Sequence, residues 1–432
     1  MLEILHSNKS VGLWASLAAK LNTYAKESGL VQRSSRHFSP QSFLLSQLEA
    51  VSTGRASLNQ LVASTGHDEE RLKISPQALQ QRITRTECGV EGFLARCLSH
   101  ICQCKFLNTR PTGTSPFDRI VIEDSTFIRF PKGNAEQFPG NGNGSGATAG
   151  CKVVLAFDLL GGELIRNDMY LGSEQDKTIG IDLLDEVVPN DLVLRDMGFF
   201  GVDNFMVIEA LNANWLSRLP LTADVVTARG VPLEKVLESH RGNTIDIAVK
   251  LTAKGHPVRL VAIRASQQEM EKRRREHRAD ARKKGRSAPK KTLIRDGWHL
   301  MVTNVAKTMQ SAVDLAAIYS QRWLIEIVFR AWKQAGNLSK ALNRDSSPQH
   351  LKGLILAGMI ALAVSLKIGI SLARRHPECR YSLEKIFDYI ISRLVALTKL
   401  SDIARFKPDP RHLQGQKRRR NSLNCRLLEL LG

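Results

Sequence analysis

YSQRWLIEIVFRAWK, residues Tyr319 to Lys333, is the stretch around which the rest of the chain is read. It has no Pro or Gly, is long enough for four helical turns, and repeats apolar residues at helical spacing. At about 100° per residue from Tyr319, Arg322, Glu326 and Lys333 fall at roughly 300°, 340° and 320°. These four therefore share one narrow face. Leu324, Ile327, Val328 and Ala331 fall at roughly 80–180°, a second face suited to a core. In most helices such a polar face is simply solvated, with Arg322 and Glu326 an ordinary pair four residues apart. Yet a carboxylate suits a hard divalent metal, and two cations with a phenol suit phosphate.

Working outward, two more carboxylates stand in telling places. Arg119 to Phe130 alternates β-branched and polar residues and predicts a strand, with Asp124 in its middle. An acid there goes against strand propensity, so it is either outward-facing on a half-solvated strand or there for chemistry. Asp191 to Asp196 predicts a short strand ending on Asp196, followed by Met197-Gly198-Phe199. The carboxyl end of a strand is where α/β folds gather active-site groups, although a helix-capping Asp fits the position too.

The 432 residues carry 62 Lys and Arg against 42 Asp and Glu, a net charge of +20. Such an excess favours a polyanionic partner, nucleic acid before an anionic membrane surface. With 43% hydrophobic residues the chain is globular, not disordered. Seven Cys without a regular framework point to a reducing compartment. Cys97, His100, Cys102 and Cys104 cluster, but their spacing fits no standard zinc module. MLEILHSNKS has no basic stretch leading into an apolar one, so no signal peptide is expected. The apolar run from Gly353 to Leu366 has 14 residues before Lys367 and reaches 21, with one charge inside, if continued through Ala373; it reads as a core or subunit-interface helix in preference to a membrane span.

Residues 1 to about 110 read as helices: Phe43 to Val51, Ser57 to Ser64, Ser75-Pro76 opening one toward Arg85, and Val90 to Cys102. A helix-turn-helix derivative across Thr65-Gly66 and a plain helical bundle both fit. Gly140 to Gly150 is a flexible connector without the Gly-Lys-Ser/Thr of a phosphate loop. Strands are expected at Lys152 to Leu159, Glu163 to Leu171, Trp215 to Leu221, Ile245 to Leu251, Val258 to Arg264 and Trp298 to Val305, with helices at Asp176 to Val187 and Val202 to Asn212. From Glu271 to Arg295, 12 Lys and Arg face 3 Asp and Glu. That run is a solvated loop or, in so basic a chain, a clamp on phosphates. Beyond Asn337 the pattern is helical, at Gln349 to Arg374 and Ser382 to Leu397, with a basic tail from Phe406 to Arg420.

Tyr-(2)-Arg-(3)-Glu-(6)-Lys, with Trp332 before the Lys, resembles the signature of the cut-and-paste DDE transposases of bacterial insertion sequences, in the insertion-sequence-four family. Asp124-Ser125-Thr126 with Phe130-Pro131 is similar to that family's first-aspartate segment. Asp196-Met-Gly-Phe is similar to its second, with Met197 where the family has Arg. Trp298 to Val305 resembles its Trp-x-Leu-x-x-Thr strand.

The resemblance implies an α/β fold: a ribonuclease-H-like mixed sheet with flanking helices, interrupted by a mainly β insert, plus helical N- and C-terminal regions. The boundaries expected are 1–115 for DNA-end binding, 116–221 with 298–340 for catalysis, 222–297 for the basic insert, and 341–432 for the helical C-terminal region. It implies a catalytic and metal-binding triad of Asp124, Asp196 and Glu326. Two Mg²⁺ (Mn²⁺ substituting) about 3.5–4 Å apart would relieve the repulsion of three converging carboxylates and activate water. Cleavage at transposon ends, commonly through a hairpin, and strand transfer by a 3′ hydroxyl would follow. Tyr319, Arg322 and Lys333 would hold a phosphate, and Trp298 would stack on a flipped base, unless it is simply a core Trp, which fits its strand equally well. Arg330, Arg273, Arg274, Arg275, Lys283 and Lys284 are further candidates for DNA contact. The partners implied are double-stranded DNA, at transposon ends and target, and a second copy in the DNA complex, with no membrane. The place implied is the bacterial cytoplasm. A non-catalytic DNA-binding relative of the same fold and a membrane-associated basic protein are the alternatives.

Overall fold

A computed structural model describes residues 8–33, 35–63, 72–86, 88–104, 115–141, 148–335, 337–342, 346–375 and 381–393. Its strands are β1 (Arg119–Phe130), β2 (Ala149–Asp158), β3 (Glu163–Leu171), β4 (Asp191–Arg195), β5 (Asn214–Arg218), β6 (Val225–Thr227), β7 (Thr244–Leu251), β8 (His256–Arg264) and β9 (Trp298–Thr303). They form one sheet in the order β3-β2-β1-β4-β5-β9-β8-β7-β6. β1, β4 and β5 run parallel, while β2 is antiparallel to both β1 and β3. This mixed β3-β2-β1-β4-β5 order is the ribonuclease-H-like arrangement. The insert does not stand apart from it. β8 pairs with β9, and β7 and β6 extend the same sheet outward.

Strand alternation decides what each face of the sheet meets. Ile120, Ile122, Leu192 and Leu194 point into a large core shared with the N-terminal helices and with the helices after residue 323. Val121 and Val193 point into a second core with Phe205, Ile208, Trp215 and Leu233. The first face will be called the front and the second the back.

The front is covered by helices at Asn8–Glu27, Pro40–Thr53, Leu58–Ala63, Pro76–Thr84, Gly89–Gln103, Trp323–Ala335 and Pro348–Arg375. Ser75 accepts from the Ala78 N–H with Pro76 at the first position, which is why a helix opens there. Thr65-Gly66 and the 406–420 tail lie outside the described residues. The Pro348–Arg375 helix is long and apolar enough to cross a membrane, but 94% of its most apolar window is buried inside the protein. Gly358 lets it approach the Trp332 indole, whose Nε1–H donates to the Gly358 carbonyl at 2.9 Å.

Two local readings need correcting. The helix expected to run unbroken through Tyr319 is two helices, Ala312–Ser320 and Trp323–Ala335. At the junction the N–H groups of Gln321, Arg322, Leu324 and Ile325 bond three residues back, a tighter turn that periodicity cannot register. The heart of the basic run, in turn, is no loop but a helix, Gln267–Lys283, opened by a Ser266–Glu269 capping box.

Candidate active site

β1 and β4 lie side by side, and their last paired residues are Ile122 and Leu194. Two residues further along each strand come Asp124 and Asp196. Alternation puts Asp124 on the front, and Asp196, the first residue past the end of β4, lies near enough to bear on the Asp124 carboxyl. A carboxylate on each of two adjacent strands thus needs no long-range coincidence, only the pairing of β1 with β4.

The third carboxylate arrives on the helix that crosses this face. Trp323–Ala335 buries Leu324, Ile325, Ile327, Val328, Phe329, Ala331 and Trp332, which leaves Glu326 and Lys333 facing the sheet. Arg322 closes the set. One of its nitrogens lies 3.2 Å from Asp124 Oδ2 and another 2.6 Å from Glu326 Oε1. The Tyr319 hydroxyl donates to the carbonyl of Arg195, the residue before Asp196, at 3.2 Å. Lys333 Nζ donates to the Phe127 carbonyl of β1 at 2.9 Å. Asp124, Asp196, Glu326, Tyr319 and Arg322 are therefore brought together, with Lys333 further along β1 at Phe127.

Their titration reflects the crowding. Burial pushes the Asp124 carboxyl up to about 6; the Ser125 N–H and Arg322 oppose the rise, and Asp196 and Glu326 add to it. Burial works against the charge on Arg322, yet Asp196, Tyr319, Glu326 and Asp124 outweigh it and hold the guanidinium firmly protonated. Burial raises the Tyr319 phenol, with Asp196 adding to the effect, so it stays a hydrogen-bond donor. Burial lowers the Lys333 ammonium.

Hard oxygen donors crowded until one resists ionisation are chemically suited to a divalent cation. The Arg322 guanidinium now fills the cationic place between Asp124 and Glu326. Accordingly, among the described residues no group of three or more His, Cys, Asp or Glu is spaced to close around a metal as it stands. Cys97, one of the cysteine cluster, is buried in the front core, and the carbonyls of Cys102 and Cys104 accept from Lys367 Nζ.

Other residues singled out from the sequence lie elsewhere. Trp298 is only 4% exposed, with the Arg264 guanidinium 4.2 Å from its ring centre, so the face expected to stack on a base is covered. Arg330, one helical turn after Glu326, is 3.8 Å from Glu384 of the Leu383–Ile391 helix. Arg273 and Arg274 hold up their own domain, donating to the carbonyls of Asp296, Trp298 and Leu293. Arg275, Lys283 and Lys284 are exposed, and among the described residues their side chains hold no such carbonyls. Met197 is exposed directly after Asp196.

Sequence reasoning passed over Glu123, Arg195 and Asp176. Asp176 accepts from the Ser125 hydroxyl at 2.7 Å and pairs with Lys152 at 2.9 Å, behind the strand that carries Asp124. Glu123 and Arg195 were visible as the residues before each catalytic candidate, but only the pairing of β1 with β4 makes them neighbours.

A family model described as a transposase DDE domain matches residues 115–360, more than half the chain and the whole of this constellation. Over 384 residues the chain is 27% identical to the transposase for insertion sequence element IS231C of Bacillus thuringiensis subsp. berliner, covering 82% of this chain and 79% of that one. It is 25% identical over 338 residues to the transposase for insertion sequence element IS1151 of Clostridium perfringens, covering 73% and 70%. Fold, constellation and relatives agree, and the chain belongs to the DDE transposases of bacterial insertion sequences.

Proposed function

We propose that this transposase works by cut and paste: it nicks DNA at the transposon ends by hydrolysis, passes through a hairpin, and joins the freed 3′ hydroxyl to target DNA. The observation that carries this is the Arg322 bridge between Asp124 and Glu326, with Asp196 close by at the end of the neighbouring strand. Asp124, Asp196 and Glu326 would hold two Mg²⁺, or Mn²⁺ in their place. When bound, the cations supply positive charge at the attacking and leaving oxygens of an in-line displacement.

The chain's own residues do the rest. Asp124 must be ionised to serve, which its surroundings resist below about pH 6. Arg322 turns from the carboxylates to a phosphate, for which its fork geometry is suited. Lys333 adds a point charge at the Phe127 end of the site, and Tyr319 anchors the junction to the Asp196 strand. Arg275, Lys283 and Lys284 contact the phosphate backbone further out. If about six phosphates are met in all, affinity falls as roughly the fifth power of salt concentration.

The N-terminal helices read the end sequence in this scheme. A cleft of about 970 Å³, apart from the carboxylates, is lined by Asn59, Gln77, Gln80, Gln81 and Asn134, amides suited to base edges. The working form is a dimer on DNA in the cytoplasm. Glu326→Gln tests the catalytic reading: it should keep its affinity for a transposon-end duplex and lose metal-dependent cleavage. Normal cutting by that variant would remove Glu326 from the triad.

A further inference from the structure

The register of β1 and β4 ends at Ile122 and Leu194, one rung short of where the two aspartates need holding. At that next position, on the back of the sheet, Glu123 and Arg195 face each other, Arg195 Nη2 lying 3.2 Å from Glu123 Oε2. Each is the residue immediately before a catalytic aspartate. Both side chains are completely buried, and a second guanidinium, Arg166, lies 3.8 Å from Glu123 Oε1.

This pair is poorly explained by stability. Taking two charges out of water is expensive, and well-packed apolar residues in their place are commonly neutral or stabilising. Among the described residues neither Glu123 oxygen receives a well-aligned hydrogen bond, and the two guanidinium groups are its partners. Arg195, by contrast, is fastened on both sides of the sheet. Its guanidinium donates to the Gly180 carbonyl at 2.5 Å on the back, and its own carbonyl accepts from Tyr319 on the front.

We propose that Glu123 and Arg195 are positioning residues: their buried ion pair supplies the missing rung between β1 and β4 and sets the separation of Asp124 and Asp196. This rests on the assignment of those aspartates as the metal-binding pair. The pair touches neither DNA nor the reacting atoms. It acts through the two strand ends, as supporting partners of metal ligands do elsewhere.

The test replaces both charges together, Glu123→Leu with Arg195→Met, in the full-length chain. Mn²⁺ affinity is measured by titration calorimetry without DNA, thermal unfolding is followed in parallel, and kcat and KM are measured on a transposon-end duplex. We expect a folded protein at least as stable as the parent, with Mn²⁺ bound about 10-fold to 100-fold more weakly. kcat should fall with KM for DNA unchanged. Should the double variant fail to fold, the isosteric Glu123→Gln carries the same readouts and the same expectation. Mn²⁺ affinity and kcat equal to the parent in a folded variant would overturn the proposal. Failure of both variants to fold would overturn it too, since the pair would then serve the fold alone. Asp124→Asn is the control: if it leaves Mn²⁺ affinity intact, the aspartate assignment fails and not merely the rung.

Discussion

Arg322 holds the DNA-free site together, because its guanidinium is the positive charge that lets Asp124 and Glu326 sit near each other. Its help is incomplete, since Asp124 still titrates near 6 with the Arg322 contribution included. An unfolded Asp titrates near 3.9, so the folded state favours the protonated acid. That contribution is fully present below about pH 4 and is lost as pH rises through about 6. Asp124→Asn should therefore be more stable than the parent at pH 7.5, by on the order of 1–3 kcal/mol, with the difference vanishing near pH 4. Urea unfolding at the two pH values checks this, and an equal or lower stability at pH 7.5 would contradict it. The sequence made Asp124 legible as an acid in a strand. It could not separate its role from that of Glu123 beside it, because alternation sends one to each face and only tertiary packing says which face holds the helix with Glu326.

The helices divide in how well their residues announced them. Trp323–Ala335 was legible from its apolar face, and the strands from alternation; β1 spans the residues expected of it. The junction at Gln321 and Arg322 was not, because no Pro or Gly marks it. Nor was the Gln267–Lys283 helix, whose sequence is so polar that no apolar face shows. Its basic residues now separate into two kinds. Replacing the exposed Arg275, Lys283 and Lys284 by Ala should weaken DNA binding across sequences and flatten the log–log salt slope by about 3. Fluorescence anisotropy at several salt concentrations would show it, and an unchanged slope would remove this helix from the DNA surface. Arg273→Ala should instead cost about 1–3 kcal/mol of stability, since it strips charged donors from the Asp296 and Trp298 carbonyls. A denaturation midpoint equal to the parent's would refute that role.

Across the molecule, the nine strands make a single sheet in which the catalytic half and the insert share β9 as their boundary. The order of most elements along the chain was legible, because each of those is a local pattern. The continuity of the sheet was not, because pairing β5 and β8 with β9 joins segments far apart in sequence. The same long-range closure gathers acids that are 72 and then 130 residues apart. Everything proposed for cleavage rests on that gathering. Anomalous diffraction from crystals of the protein bound to a transposon-end duplex and Mn²⁺ tests it most directly. Asp124, Asp196 and Glu326 should all lie within coordination distance of the anomalous peaks, with Arg322 swung onto a DNA phosphate. Peaks held by other residues, or none beside these three carboxylates, would contradict it.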